Sequence, residues 1–423
     1  METSAGIRAG HRAFWRGTPK VYDAGSSPRA GNARRVLAAA WPGEPLTAGD
    51  LMEATGLTRA TVLSVCKDLV SAGWLGELAD ARAAGDYEKG RPARRYAFRP
   101  DCRYAVGVDA GAHSLTAAVV NLAGTELARI RRASDPEASG LDRRAALESL
   151  VLDVLEQAGV APEAVAAVVV GVPAPVDASG RSPQDRLDNF WNRMNPEFIT
   201  VFGDRDWDVV VDNDANLAAL AESATGMDAG VRGFATLLSG ERFGAGVVID
   251  GQLMRGKRGA VGELRVLDLV VGVDSADGLA HQARAELRNA AAAGRLVGML
   301  AACPDMEPDA KHVFAAAELG DPVALEIVDV LARRLAPVAM LLSGMLDLER
   351  IIVAGAIAPA VGPVLKRTRE LMGRDSTLSW AELVASEHGD GVVLAGALHS
   401  AIALVREGAL TPSPPPEVDI TGM

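Results

Sequence analysis

The spacing of apolar and polar positions changes along the chain, and that change divides it. From Val36 to about Phe98 apolar residues recur at helical spacing, then give way to a Gly- and Arg-rich stretch with alternating residues. From Tyr104 onward short apolar runs alternate with Ala-rich helical stretches. The runs are Tyr104–Val108, Ala117–Asn121, Ala166–Gly171, Val209–Val211, Gly233–Leu238, Gly246–Ile249 and Arg350–Val353. Such alternation predicts an α/β architecture with a largely parallel sheet. Asp250-Gly251, between two apolar runs, predicts a type I′ hairpin. Residues 1–30, rich in Gly, Ser, Pro and basic residues, and residues 408–423, with Thr-Pro-Ser-Pro-Pro-Pro, read as flexible tails.

Within the helical segment, Thr47 is placed to cap a short helix reaching about Ala54, and Gly56 supplies the turn. A second helix starts at Thr58 and runs to about Ala72. Its Val62, Val65, Cys66 and Leu69 fall at i, i+3, i+4 and i+7, one stripe that must face the first helix. The opposite face carries Arg59, Thr61, Ser64 and Lys67. Trp74-Leu75 and Arg95-Tyr-Ala-Phe98 read as two strands flanking a loop with Lys89-Gly90-Arg91-Pro92 near its tip. Turn, stripe and wing in this order predict a winged helix-turn-helix over residues 31–100. Arg59, Thr61 and Ser64 are then expected at base edges of a double-stranded DNA operator. Lys67 and the wing residues Gly90, Arg91 and Pro92 are expected at phosphate or minor groove. The plainer alternative is that Arg59 to Lys67 is the solvated face of an amphipathic helix.

Charge favours the first reading. The chain of 423 residues carries a net charge of −12, yet residues 1–100 hold 15 Lys+Arg against 10 Asp+Glu, an excess of +5, and the remainder holds 28 against 45, or −17. A basic end on an acidic body is the asymmetry expected where one end meets phosphate. At 49% hydrophobic residues the chain can bury sizeable cores, and its length suggests two to three domains. No apolar run reaches the roughly 18 residues of a membrane span, and the first thirty residues lack a secretory h-region, so a cytoplasmic protein without membrane contact is expected. Cys66, Cys102 and Cys303 are too far apart for a local metal motif and read as buried thiols.

Five segments of the body then occur in a telling order. They are Asp109-Ala-Gly-Ala-His-Ser114, Val170-Gly-Val-Pro-Ala-Pro-Val-Asp177, Val211-Asp-Asn-Asp-Ala-Asn216, Arg255-Gly-Lys-Arg-Gly-Ala-Val-Gly-Glu263 and Ile352-Val-Ala-Gly-Ala-Ile357. Together they resemble the ROK family of repressors, unassigned reading frames and sugar kinases. The resemblance implies a two-lobed actin-like (RNase H-like) sugar kinase fold. The first lobe would span residues 103–225, completed by about 393–407, and the second 226–392. With a winged helix in front, the chain is similar to the family's transcription regulators.

The resemblance also assigns residues. Asp214 stands where the kinases hold their general base, with Asn213 beside it as a sugar-hydroxyl partner. Glu263 matches the sugar-binding glutamate, and Asn189 an asparagine of the preceding loop. One alternative is that Asp212, Asn213 or Asp214 only caps the following helix. Departures cluster on the nucleotide side. Ala112, His113 and Ser114 replace the Gly-Thr-Lys of the first phosphate hairpin. Glu241 and Arg242 enter the second phosphate loop, Gly240–Gly246, and Ala354 replaces a glycine of the adenosine loop. The histidine that follows the glutamate in the family is lost to Leu264-Arg265-Val266, and no cysteine lies between Cys102 and Cys303, so the family's structural zinc is expected to be absent. The expectation is a regulator, more repressor than activator, without catalytic residues, cofactor or metal. It would be a homodimer or homotetramer sensing a sugar or sugar derivative. Two alternatives stand beside it, an ATP-dependent sugar kinase with a DNA-binding appendage, and a constitutive regulator whose body only oligomerises.

Overall fold

The computed structural model describes residues 28–41, 43–78, 94–183, 190–225, 231–301, 309–373 and 380–410. The N-terminal domain opens with α1 (Pro28–Ala40), then β1 (Leu46–Thr47), α2 (Ala48–Thr55), α3 (Arg59–Ser71) and the hairpin β2 (Leu75–Leu78) and β3 (Arg95–Phe98). Helix α1 starts inside the segment expected to be a tail, since Pro28 fits a first helical turn, whose N–H groups need no partner within the helix. Thr47 closes a capping box on α2: its hydroxyl accepts from the Asp50 N–H at 3.2 Å and its own N–H donates to the Asp50 carboxylate at 2.8 Å. Val62, Val65, Cys66 and Leu69 of α3 are all buried, as their spacing requires. Trp41 packs on Phe98 and Trp74 at centroid distances of 4.4 and 5.9 Å, closing the small core over the three-stranded sheet β1-β3-β2.

The first lobe follows with β4 (Tyr104–Ala110), β5 (Ser114–Asn121), β6 (Glu126–Ala133), α4 (Gly140–Ala158), β7 (Val165–Val172), α5 (Phe190–Met194), β8 (Asp208–Asn213) and α6 (Asp214–Thr225). The second holds β9 (Phe234–Ser239), β10 (Phe243–Ile249), β11 (Gln252–Met254), α7 (Leu279–Ala292), α8 (Gly298–Ala301), α9 (Ala310–Glu318), α10 (Pro322–Leu346), β12 (Arg350–Ala354), α11 (Gly362–Met372) and β13 (Glu382–Ala385). Helix α12 (Val392–Leu410) returns to the first lobe and extends into the segment expected as the C-terminal tail.

The sheets correct the expectation of a largely parallel arrangement. There are two of them, ordered β6-β5-β4-β7-β8 and β11-β10-β9-β12-β13. In each, the hairpin strands pair antiparallel and the rest parallel, because short loops can only reverse the chain while helical crossovers return it in the same sense. The Asp250-Gly251 turn is as expected: both residues have positive φ, 55° and 75°, and Ile249 pairs with Gln252. This duplicated sheet, with α6 and α12 packed between the lobes, is the actin-like sugar kinase fold.

Helix α12 lies against β4, β7 and α6, and its buried residues share one core with Val36, Leu37 and Leu51 of the N-terminal domain. It is the one described helix long and apolar enough, by length and composition, to cross a bilayer. Its packing between sheet, α6 and α1 accounts for that composition.

Candidate functional site: the interlobe cleft and the face of the second N-terminal helix

Helix α3 presents Arg59, Ser64 and Lys67 to solvent. Thr61 is half-buried, and its hydroxyl lies 2.9 Å from that of the helix cap Thr58. Asp68, beside this face, pairs with Arg29 of α1 at 2.8 Å on the exposed side of the α1–α3 contact. The wing residues Gly90, Arg91 and Pro92, like Asn189 and Cys303, fall outside the described residues.

In the body, β8 runs directly into α6, and that junction builds the floor of the cleft. Asn213 is buried and bonded through both ends of its amide: its oxygen accepts the Asn216 N–H at 3.1 Å, and its nitrogen donates to the Ala174 carbonyl and to Asp214, each at 3.1 Å. Asn213 therefore caps α6 and anchors the Val170–Asp177 loop. Asp214 begins α6, accepting the Ala215 N–H at 2.8 Å. Gly246, closing the second phosphate loop, lets β10 lie against the first turn of α6. An added Cβ would sit 2.1 Å from the Ala215 carbonyl oxygen.

Carboxyl groups crowd this floor. Burial, then the neighbouring Asp109 and Glu263, push the Asp214 carboxyl up to about 8. Burial raises Asp109 to about 7, with Asp390 adding to the rise and Arg131 opposing it. Glu263 is raised by burial and drawn back by Arg265 and Arg242. A carboxyl that holds its proton at neutral pH can donate as well as accept, which suits hydroxyl groups. The spacing of Asp109, Asp214 and Glu263 in sequence gave no sign that they would be electrostatic neighbours.

Structure also supplies what sequence reasoning missed. Asp212 forms a buried ion pair with Arg255, joining β8 of the first lobe to the loop after β11 of the second. Trp191 of α5 stacks under Arg265, whose guanidinium carbon is 4.8 Å from the ring centroid. In the second phosphate loop the Glu241 carboxylate is held by Arg284 and by His281 Nδ1, and it lies within electrostatic reach of His113 on the first hairpin. The loop's carbonyls are also occupied: Gly278 N–H donates to Glu241 and His281 N–H to Gly240, at 2.9 and 3.2 Å. Among the described residues no group of three or more His, Cys, Asp or Glu side chains is arranged to hold a metal. The zinc donor set does not fit here, with Val266 at the histidine position.

A winged helix-turn-helix ahead of a two-lobed sugar-kinase body is the class these elements define. The ROK family's sequence pattern matches residues 105–404, and the chain belongs to that family. A glucokinase from Halalkalibacterium halodurans is 29% identical over 179 residues, covering 38% of this chain and 53% of that enzyme, so the match spans about half the relative's length. A ROK family transcriptional regulator described as a homologue of the E. coli MLC protein superimposes over 90% of this chain and 98% of its own, with a TM-score of 0.66 at 22% identity. A ROK family glucokinase from Streptomyces griseus, in complex with glucose and AMPPNP, covers 70% of this chain and 99% of its own, with a TM-score of 0.59 at 25% identity. The fold thus extends across the N-terminal domain in one neighbour and is confined to the body in the other.

Proposed function

We propose that the chain is a DNA-binding transcriptional regulator, a repressor in its simplest form, whose kinase-like body senses a sugar or sugar derivative without phosphorylating it. The observation that carries this reading is the complete helix-turn-helix docked on α12, with Arg59, Ser64 and Lys67 solvent-facing. Exposed short polar and basic side chains on a second helix are what reading base edges and phosphates requires. The body's second phosphate loop supports the non-catalytic part. A triphosphate there would meet the Glu241 carboxylate, held in place by Arg284 and His281, and backbone carbonyls drawn toward α7. Neither nucleotide nor metal belongs to the proposed mechanism. Paired half-sites call for a homodimer or homotetramer, and the partner is double-stranded operator DNA. The setting proposed is cytoplasmic.

In this mechanism Asp214 and Glu263 meet ligand hydroxyls and Asn213 holds Asp214 in place. Such groups reject ligands lacking the matching hydroxyl, since they would be left buried and unpaired. Ligand binding would shift the balance between two lobe arrangements, by as much as its affinity differs between them.

The test is fluorescence anisotropy with labelled duplexes tiled across the DNA flanking the gene, with excess competitor DNA at physiological salt, then with a panel of sugars and sugar phosphates. Arg59→Ala should weaken binding to the preferred tile by about 1–3 kcal/mol, while leaving the fold unchanged. Equal binding of all tiles by both proteins would sink the reading.

One observation favours a second reading, a sugar kinase with a DNA-binding appendage: Asp214 is kept at the start of α6, where the resemblance places the general base. That reading requires sugar-dependent ADP release that vanishes in Asp214→Ala.

A further inference from the structure

Arg59, Ser64 and Lys67 share the outward face of α3 with two side chains that cannot hydrogen-bond. Ala60 and Leu63 are exposed, and with Ser64 and Lys67 they fall at i, i+3, i+4 and i+7, a strip on the side away from Val62, Val65, Cys66 and Leu69. Leu63 keeps 38% of its surface open to solvent. Neither residue is part of the apolar cluster that holds α1, α2 and α3 together. Thr61 lies at the edge of the face, half-buried, with its hydroxyl on Thr58. A leucine elsewhere on a surface needs no explanation, but this one stands within the face that the second helix of a helix-turn-helix offers.

The charges around the strip suit one partner. Arg59 precedes it and Lys67 ends it, and Asp68, the only acidic residue of α3, is paired with Arg29 through bonds of 2.8, 3.0 and 3.1 Å. An apolar protein surface would strip water from both cations without replacing it. A DNA duplex instead gives them phosphates, and its major groove, about 12 Å wide, admits a helix about 10–12 Å across. The one apolar group on the floor of that groove is the thymine 5-methyl. Recognition helices lead with their N-terminal residues, and Ala60 and Leu63 lie in the first two turns after the cap Thr58. Against any other base Leu63 would cover polar edges and return no hydrogen bond.

We propose that Leu63, with Ala60 beside it, is a specificity-determining residue that selects thymine by its 5-methyl group, so that each half-site carries a thymine beneath the first two turns of α3. This inference rests on the DNA-binding reading above.

The test takes the full chain and the duplex it selects from a random-sequence library at physiological salt. Each thymine of that duplex is then replaced in turn by deoxyuridine, which removes the methyl and keeps every hydrogen-bonding group. At one or two positions per half-site uracil should weaken binding about fourfold, the worth of one buried methyl group. That difference should vanish in Leu63→Ala and persist in Leu63→Met, with unchanged thermal midpoints showing that both variants fold. Tolerance of uracil at every position, or sensitivity undiminished in Leu63→Ala, would overturn the inference and leave DNA binding intact. A change of oligomeric state in Leu63→Ala, read by sedimentation, would give the face to a second copy of the chain and overturn it too. Failure to enrich any sequence would overturn the DNA-binding reading, and the inference with it.

Discussion

Asp214→Asn should make the body more stable, and more so as the pH rises. In the folded chain the Asp214 carboxyl titrates at about 8 against an ordinary 3.8, so at pH 7 the folded state holds a proton that the unfolded state has released. Three units at 1.36 kcal/mol each set a ceiling of about 4 kcal/mol on that cost. The side chain is part-exposed and Asp109 shares the charge, so roughly half, about 2 kcal/mol, is the working value. The sign follows from the direction of the shift. A carboxyl raised on folding contributes stability below about pH 4, and that contribution is lost progressively up to about pH 8. Asparagine carries no proton to lose, and its side-chain oxygen still accepts from Ala215 and Asn213. Urea unfolding of both proteins at several values between pH 5 and pH 8, followed by the body's own transition, should show an advantage for the variant that widens with pH. A variant no more stable than the parent at pH 8, or an advantage independent of pH, would refute the reasoning.

Other substitutions probe the frame. Gly396→Ala places a Cβ 1.9 Å from the Leu217 carbonyl oxygen, forcing α12 away from α6, and should cost about 3 kcal/mol or more in thermal or urea unfolding. Thr47→Ala removes the capping box of α2 and should cost about 1 kcal/mol, seen as earlier melting of the N-terminal domain while the body's transition stays in place.

How much of this was legible follows from the range of each signal. The capped helices at Thr47 and Thr58 and the Asp250-Gly251 hairpin were readable because their determinants lie within a few residues. Strand β6, Glu-Leu-Ala-Arg-Ile-Arg-Arg-Ala, was missed because it forms a sheet edge whose exposed positions carry charge, leaving only Ala128 buried. Strand β13, an edge of the other lobe's sheet, was missed because it is only four residues long, with Leu383 buried. The mixed character of both sheets escaped because apolar runs do not record strand direction. At the cleft, Asp214 and Glu263 were found by resemblance. The partners of Glu241 lie some forty residues away on α7, and those of Asp212 and Arg265 on the opposite lobe, where no local spacing could announce them. Asn213 carries the capping role that the sequence left open beside the ligand contact, its amide oxygen accepting the Asn216 N–H.

Helix α12 has a consequence in simple mechanics. Its 19 residues make a rod of about 28 Å, starting beside Asp390 at the cleft and ending against α1. A tilt of roughly 5° at the cleft end would displace the far end by about 2.5 Å, several times the ~0.5 Å within which a binding constellation must be held. Because α12 is packed along β4, β7 and α6, it can turn only together with the first lobe, and a small rotation of that lobe would be carried by the rod to α1 as a larger step.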